Sequence, residues 1–197
     1  SNMDVQWAGR NGCPFVPVDA LQSAADTDWI VPEQCPLYAT TVPDLLTTFD
    51  ADVVIVVLGA MELTVQRYPG DPTGYAPGSP GYVSAHDEAM QQLLDALGPD
   101  GPLVLVADSP PIKPGPFSTD EMSTPERVAA LNSQIQRWAQ QHPGRVEVLP
   151  YTAPLLAYEA EHGWIREDGS HPDVDLLTGI LRDAVVPVLL DRISAAR

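Results

Sequence analysis

Lysine is almost missing from this chain. Lys113 is the only one among 197 residues, and 27 acidic against 10 basic side chains leave a formal charge of −17. A surface of that sign repels a phosphate backbone, so nucleic acid is not an expected partner. The acidity reads first as a solvated surface. Long apolar runs are missing too: nothing approaches the roughly 18–20 uninterrupted apolar residues of a membrane span, and the opening Ser1-Asn2-Met3 reads as a vector remnant rather than a signal peptide. Cysteine is limited to Cys13 and Cys35, each followed by proline. They either close a loop, worth roughly 3 kcal/mol and implying an oxidising compartment, or remain two independent thiols. With two cysteines and no histidine at zinc-site spacing from them, no metal is expected, and no cofactor.

What is present suits one domain spanning residues 1–197, since 44% hydrophobic residues can bury a substantial core. Val53–Leu58 (VVIVVL), Leu103–Ala107 (LVLVA) and Val146–Leu149 (VEVL) are near-continuous apolar runs, as buried parallel strands require. Helical patterns lie between them. Ala85–Leu97 stops at Gly98-Pro99, and Pro125–Gln141 starts with Thr124 as N-cap and Pro125 at the first helical position. Pro36–Phe49 reads as an earlier amphipathic helix, Val174–Ile193 as a closing one that Pro187 kinks or splits, and Val5–Ala8 as one more short strand. This alternation predicts an α/β fold: a doubly wound parallel sheet of about four to five strands with helices on both faces. Two loops, Tyr68–Tyr82 and Ser109–Ser123, follow strand C-terminal ends, where open α/β sheets place their ligand sites.

The candidate chemistry lies in Asp168-Gly169-Ser170-His171-Pro172. Pro172 pushes the His171 backbone toward an extended conformation, and the Gly-containing turn lets the Asp168 carboxylate fold back toward the imidazole. Such a pair is half of a nucleophilic triad, the carboxylate fixing the ring tautomer while the other ring nitrogen takes a proton from a hydroxyl. On its own, Asp-x-x-His is a weak signal and reads better as a helix-capping turn with a surface histidine. The remaining histidines, His86, His142 and His162, read as exposed or capping residues, and Asp87-Glu88, Glu121 and Glu126 as solvated charges and helix N-terminal residues.

With its position after the last strand and before the closing helix, this segment resembles the last sequence block of SGNH (GDSL-type) hydrolases. The likeness is nearest to SGNH domains fused to membrane-bound acyltransferases that modify extracytoplasmic glycans. It is carried by Gly12-Cys13-Pro14, Cys35, and Asp52–Leu58 leading into Gly59-Ala60-Met61-Glu62. The resemblance implies a flavodoxin-like three-layer sandwich. His171 would be the general base, Asp168 its orienting partner, and Gly12 and Gly59 candidates for the oxyanion hole. Met61 stands where many members have an oxyanion-donating asparagine, and it cannot donate. No serine here follows Gly-Asp; the family's first strand with its nucleophile would lie upstream of Met3. In that fold the first strand is central. Its place would fall to Val5–Ala8 pairing with Val53–Leu58, or to a strand from another chain through homo-oligomerisation or strand exchange, or else the block assignment is shifted. A shifted assignment makes Ser109, after Asp108, the candidate nucleophile, although Pro110-Pro111 oppose the usual strand-to-helix elbow.

The expected function is therefore an ester hydrolase or O-acyltransferase domain acting on a small acyl ester or acylated glycan by a Ser-His-Asp mechanism, inactive if it lacks the serine. The alternative is a noncatalytic module that binds a glycan or partner. Any membrane association would come through a parent domain outside this chain, and the location would be extracytoplasmic.

Overall fold

The structure is a computed structural model describing residues 13–22, 29–32, 35, 41–42, 44, 48–49, 51–116, 118–173, 175, 178–179 and 181–196. Val5–Ala8 and Gly12 lie outside the described residues, as does most of Pro36–Phe49, of which Thr41, Val42 and Asp44 are helical.

Strands β2 (Val53–Val56), β4 (Leu103–Ala107) and β5 (Val146–Leu149) form a parallel sheet in the order β2-β4-β5, with Val54 opposite Val104 and Val106 opposite Val148. A second, antiparallel pair joins β1 (Ala20–Gln22) to β3 (Val65–Arg67). The apolar runs become strands because alternate residues leave opposite faces and both faces are covered. On one face Val54, Val56, Val104, Val106, Val146 and Val148 pack with helices α1 (Pro80–Leu97) and α2 (Pro125–Gln141). On the other, Leu105, Ala107 and Leu149 meet Val185 and Leu189, the latter from α4 (Val186–Ala196). The result is a mixed α/β fold with a three-stranded parallel sheet flanked by helices.

Strand β2 stops at Val56 rather than Leu58. It is an edge strand among the described residues, and its second face is thinly covered, leaving Ile55 45% and Val57 64% exposed. α1 starts at Pro80, five residues before the sequence pattern suggested, because proline fits the first helical position, where its missing N–H is not needed. Thr124 does precede α2, but its hydroxyl donates back to the Glu121 carbonyl instead of capping the helix. Pro187 falls in the first turn of α4, and the wider π-type turn over Leu181–Val185 runs into that helix without a break, so the proline coincides with a change of helical pitch rather than a split. Helix α3 (Thr152–His162) was not anticipated from sequence.

Cys13 and Cys35 form a disulfide with Cα atoms 5.4 Å apart. Phe15, two residues on, is buried against Trp138 at 5.6 Å between ring centres, which ties the bridged loop to the main core. Reduction is expected to lower the unfolding free energy by about 3 kcal/mol; denaturant titration with and without dithiothreitol checks this.

The interior corrects the reading of two acidic residues and a histidine. His86 is not exposed but fully buried, its ring stacked on Tyr82 at 3.8 Å. Its Nε2 lies 2.8 Å from Glu62 Oε2, and its Nδ1 lies 2.9 Å from the Tyr82 carbonyl. Glu62, 1% exposed, also accepts from the Phe15 backbone N–H and Gln66 Nε2. Burial, reinforced by the Glu62 charge, pushes the Tyr82 and Tyr68 phenols up, so both stay protonated. Asp87 is half-buried rather than solvated, its Oδ1 accepting from Gln134 Nε2 and Trp138 Nε1. Glu121 is ion-paired with Arg127, whereas Glu88 and Glu126 are exposed as expected.

Candidate functional site

Because β2, β4 and β5 are parallel, their C-terminal ends share one edge, and the loops leaving that edge are stitched together. Asp108, just past β4, accepts the backbone N–H groups of Tyr151 and Thr152 through Oδ1, both at 2.7 Å, and so caps the start of α3. Arg166 is fully buried, donates through Nε and Nη2 to Glu159 of α3 at 2.9 Å each, and reaches the Pro111 carbonyl through Nη1. Lys113 N–H donates to the Gly169 carbonyl at 2.9 Å. The Asp168–His171 turn is thereby fastened to the loop that follows β4, at the edge where α/β sheets hold ligands.

Glycine is required at both contacts. Gly169 has φ +88°, and a Cβ there would lie 2.2 Å from the Lys113 carbonyl oxygen. A Cβ on Gly115 would lie 1.9 Å from the Asp168 carbonyl oxygen.

Within the turn, Asp168 Oδ1 accepts the backbone N–H groups of Ser170 and His171 at 2.9 and 2.7 Å, leaving Oδ2 2.8 Å from His171 Nδ1. Burial of Asp168 opposes its ionisation. The His171 backbone N–H, then that of Ser170, then the His171 ring outweigh it and hold the carboxyl at about 2. Asp168 is thus a carboxylate at neutral pH, and its hydrogen bond keeps a proton on Nδ1. That leaves Nε2 as the nitrogen able to act as base. The ring is 70% exposed, against 26% for Asp168, so it is offered to a ligand in solvent.

The other candidates are placed differently. Ser109 is 7% exposed, and its described bonds are backbone ones: its N–H donates to Asn132 Oδ1 and its carbonyl accepts from Asn132 Nδ2, each at 2.8 Å. Gly59 is exposed at the C-terminal end of the β2 run, with extended backbone and no atom within 4 Å of an added Cβ. Its strand end is open on the same edge. Met61 packs on the core, and its carbonyl accepts from the Thr64 N–H and hydroxyl. His142 follows the last turn of α2, and His162 is exposed in the last turn of α3, stacked on Tyr158. Sequence reasoning missed Lys113, Trp164 and Arg166 around the turn. The signal available was the isolation of Lys113 as the one lysine in the chain.

The fold and turn define an α/β domain with an Asp–His pair, its imidazole exposed, on the loops at the C-terminal edge of its parallel sheet. No family model matches this chain, and no curated protein matches it. Among the described residues no helix is long and apolar enough to cross a membrane.

Proposed function

We propose that this chain is an SGNH-like, doubly wound domain whose Asp168–His171 pair serves acyl transfer, either hydrolysing an acyl ester or passing the acyl group to an alcohol such as a sugar hydroxyl. The observation that carries this reading is the 2.8 Å contact between Asp168 Oδ2 and His171 Nδ1, on a turn whose other carboxylate oxygen is already held by two backbone N–H groups. His171 Nε2 would take the proton of a nucleophilic hydroxyl as it attacks the ester carbonyl, then return it to the departing alcohol. The acylated hydroxyl would next pass its acyl group to water or an acceptor hydroxyl by the same proton relay, His171 Nε2 taking the acceptor's proton and returning it to the freed nucleophile. The Gly59 backbone is the candidate donor to the oxyanion. A disulfide suits an extracytoplasmic location.

The test is turnover of p-nitrophenyl acetate. His171→Ala should lower it roughly 10²–10⁴-fold, the usual contribution of a general base. Unchanged turnover would remove His171 from the chemistry.

The burial of Ser109 behind Asn132 favours a second reading, a noncatalytic module that binds a glycan or partner with the same edge. Ligand-dependent thermal stabilisation without hydrolysis is its expected result.

A further inference from the structure

The one lysine of a chain of charge −17 stands against the Asp168–His171 turn. Its N–H donates to Gly169, its carbonyl accepts from Ser118 Oγ at 2.6 Å, and its ammonium lies 3.9 Å from the centre of the Trp164 ring. The same ring carries the Arg166 guanidinium at 4.0 Å. The two cations differ in what remains of their charge. Arg166 is fully buried, and its guanidinium is neutralised by the paired bonds to Glu159. Lys113 is exposed and forms no ion pair with a carboxylate among the described residues.

An indole face positions an ammonium without cancelling its charge. The rest of the neighbourhood is acidic, with Asp168 ionised and Glu167 and Asp173 exposed. Among these described residues, Lys113 is the exposed cation that favours an approaching anion. We propose that Lys113 is the specificity-determining residue of the Asp168–His171 site and selects esters that carry a carboxylate. This rests on the acyl-ester reading above. The carboxylate belongs either to the acyl group, as in the half-ester of a dicarboxylic acid, or to an acidic sugar that bears the ester.

The experiment titrates four compounds into the protein: monomethyl succinate and its neutral analogue methyl butyrate, and acetylated glucuronic acid and its neutral analogue acetylated glucose. Binding is followed by NMR at the Trp164 indole and His171 imidazole signals, in the wild type, Lys113→Gln and Lys113→Arg. At least one acidic ester should bind tenfold or more tightly than its neutral counterpart, and the pair that shows the difference identifies which side carries the charge. Lys113→Gln should abolish the preference and Lys113→Arg should keep it. In the wild type, 1 M NaCl should weaken it, because an exposed charge pair is screened. Equal binding of acidic and neutral esters, binding of none of them, or a preference that survives Lys113→Gln overturns the proposal. Turnover of p-nitrophenyl acetate in the same preparations separates the two ideas. His171-dependent turnover without a charge preference removes Lys113 alone. A Lys113-dependent preference without turnover removes the ester chemistry and leaves an anion-binding site.

Discussion

Asp168→Asn is expected to reduce ester turnover by roughly 10³–10⁴-fold while leaving the turn folded. The two oxygens of Asp168 have separate tasks, and asparagine can perform only one of them. Its amide oxygen can still accept the Ser170 and His171 backbone N–H groups that Oδ1 now accepts. Its amide nitrogen would then face His171 Nδ1, where the carboxylate oxygen now lies at 2.8 Å. A donor in that place makes Nδ1 an acceptor and moves the ring proton to Nε2, which can then no longer accept a proton from a hydroxyl; loss of the correct tautomer alone carries about 10⁴ in triad enzymes. A variant retaining more than a tenth of wild-type turnover would show that the pair is only a turn. The acid side offers a check on structure. Asp168 is held below its unfolded value of about 3.9, so its stabilising contribution is full above that value and fades as the pH falls through about 2. Asp168→Asn should therefore flatten the loss of stability between about pH 4 and 2, measured by denaturant titration.

Glu62→Ala is expected to destabilise the chain by about 3–5 kcal/mol, a large share of the 5–15 kcal/mol typical of a domain. The side chain accepts from the Phe15 N–H and Gln66 Nε2 and lies 2.8 Å from His86 Nε2, with no water-exposed surface to replace these contacts. Removing it takes one of two partners from the buried His86 ring, whose Nδ1 keeps the Tyr82 carbonyl, and one from Gln66 Nε2, which keeps the Met61 carbonyl, and an underbonded polar group in the core costs more than the lost contact alone. It also removes the hydrogen bond that ties the Phe15 backbone, beside the disulfide, to the 3-10 turn Ala60–Leu63 on which Glu62 sits. Glu88→Ala provides the contrast. Glu88 is exposed on α1, with Gln92 as its described partner, so its removal should change stability by less than about 0.5 kcal/mol. Equal effects of the two substitutions would mean that the buried network adds nothing. In a double-mutant cycle, Glu62→Ala with His86→Ala should cost less than the sum of the single changes, because each partner's burial is harmful mainly when the other is missing.

The elements legible in the sequence are those whose cause is local. Leu103–Ala107 and Val146–Leu149 are strands because any buried two-faced strand needs an unbroken apolar run. Pro125–Gln141 is a helix because its proline start and its apolar spacing agree. The Asp168–His171 contact was also readable, since it spans three residues and a glycine turn. Helix α3 was hidden by Pro154 inside its first turn, and its start depends on Asp108, a cap supplied from over forty residues away.

By itself, then, the sequence determined the parallel strands, the longest helices and the carboxylate–imidazole pair, because backbone preferences and short-range hydrogen bonds act within a few residues. The tertiary structure alone decided that Cys13 meets Cys35, that His86 is buried on Glu62 rather than solvated, and that Asp87 serves Gln134 and Trp138. It also placed Lys113 on Trp164 beside the Asp168–His171 turn. Each of those joins residues more than twenty positions apart, and no local pattern encodes which distant partner the folded sheet will bring within reach.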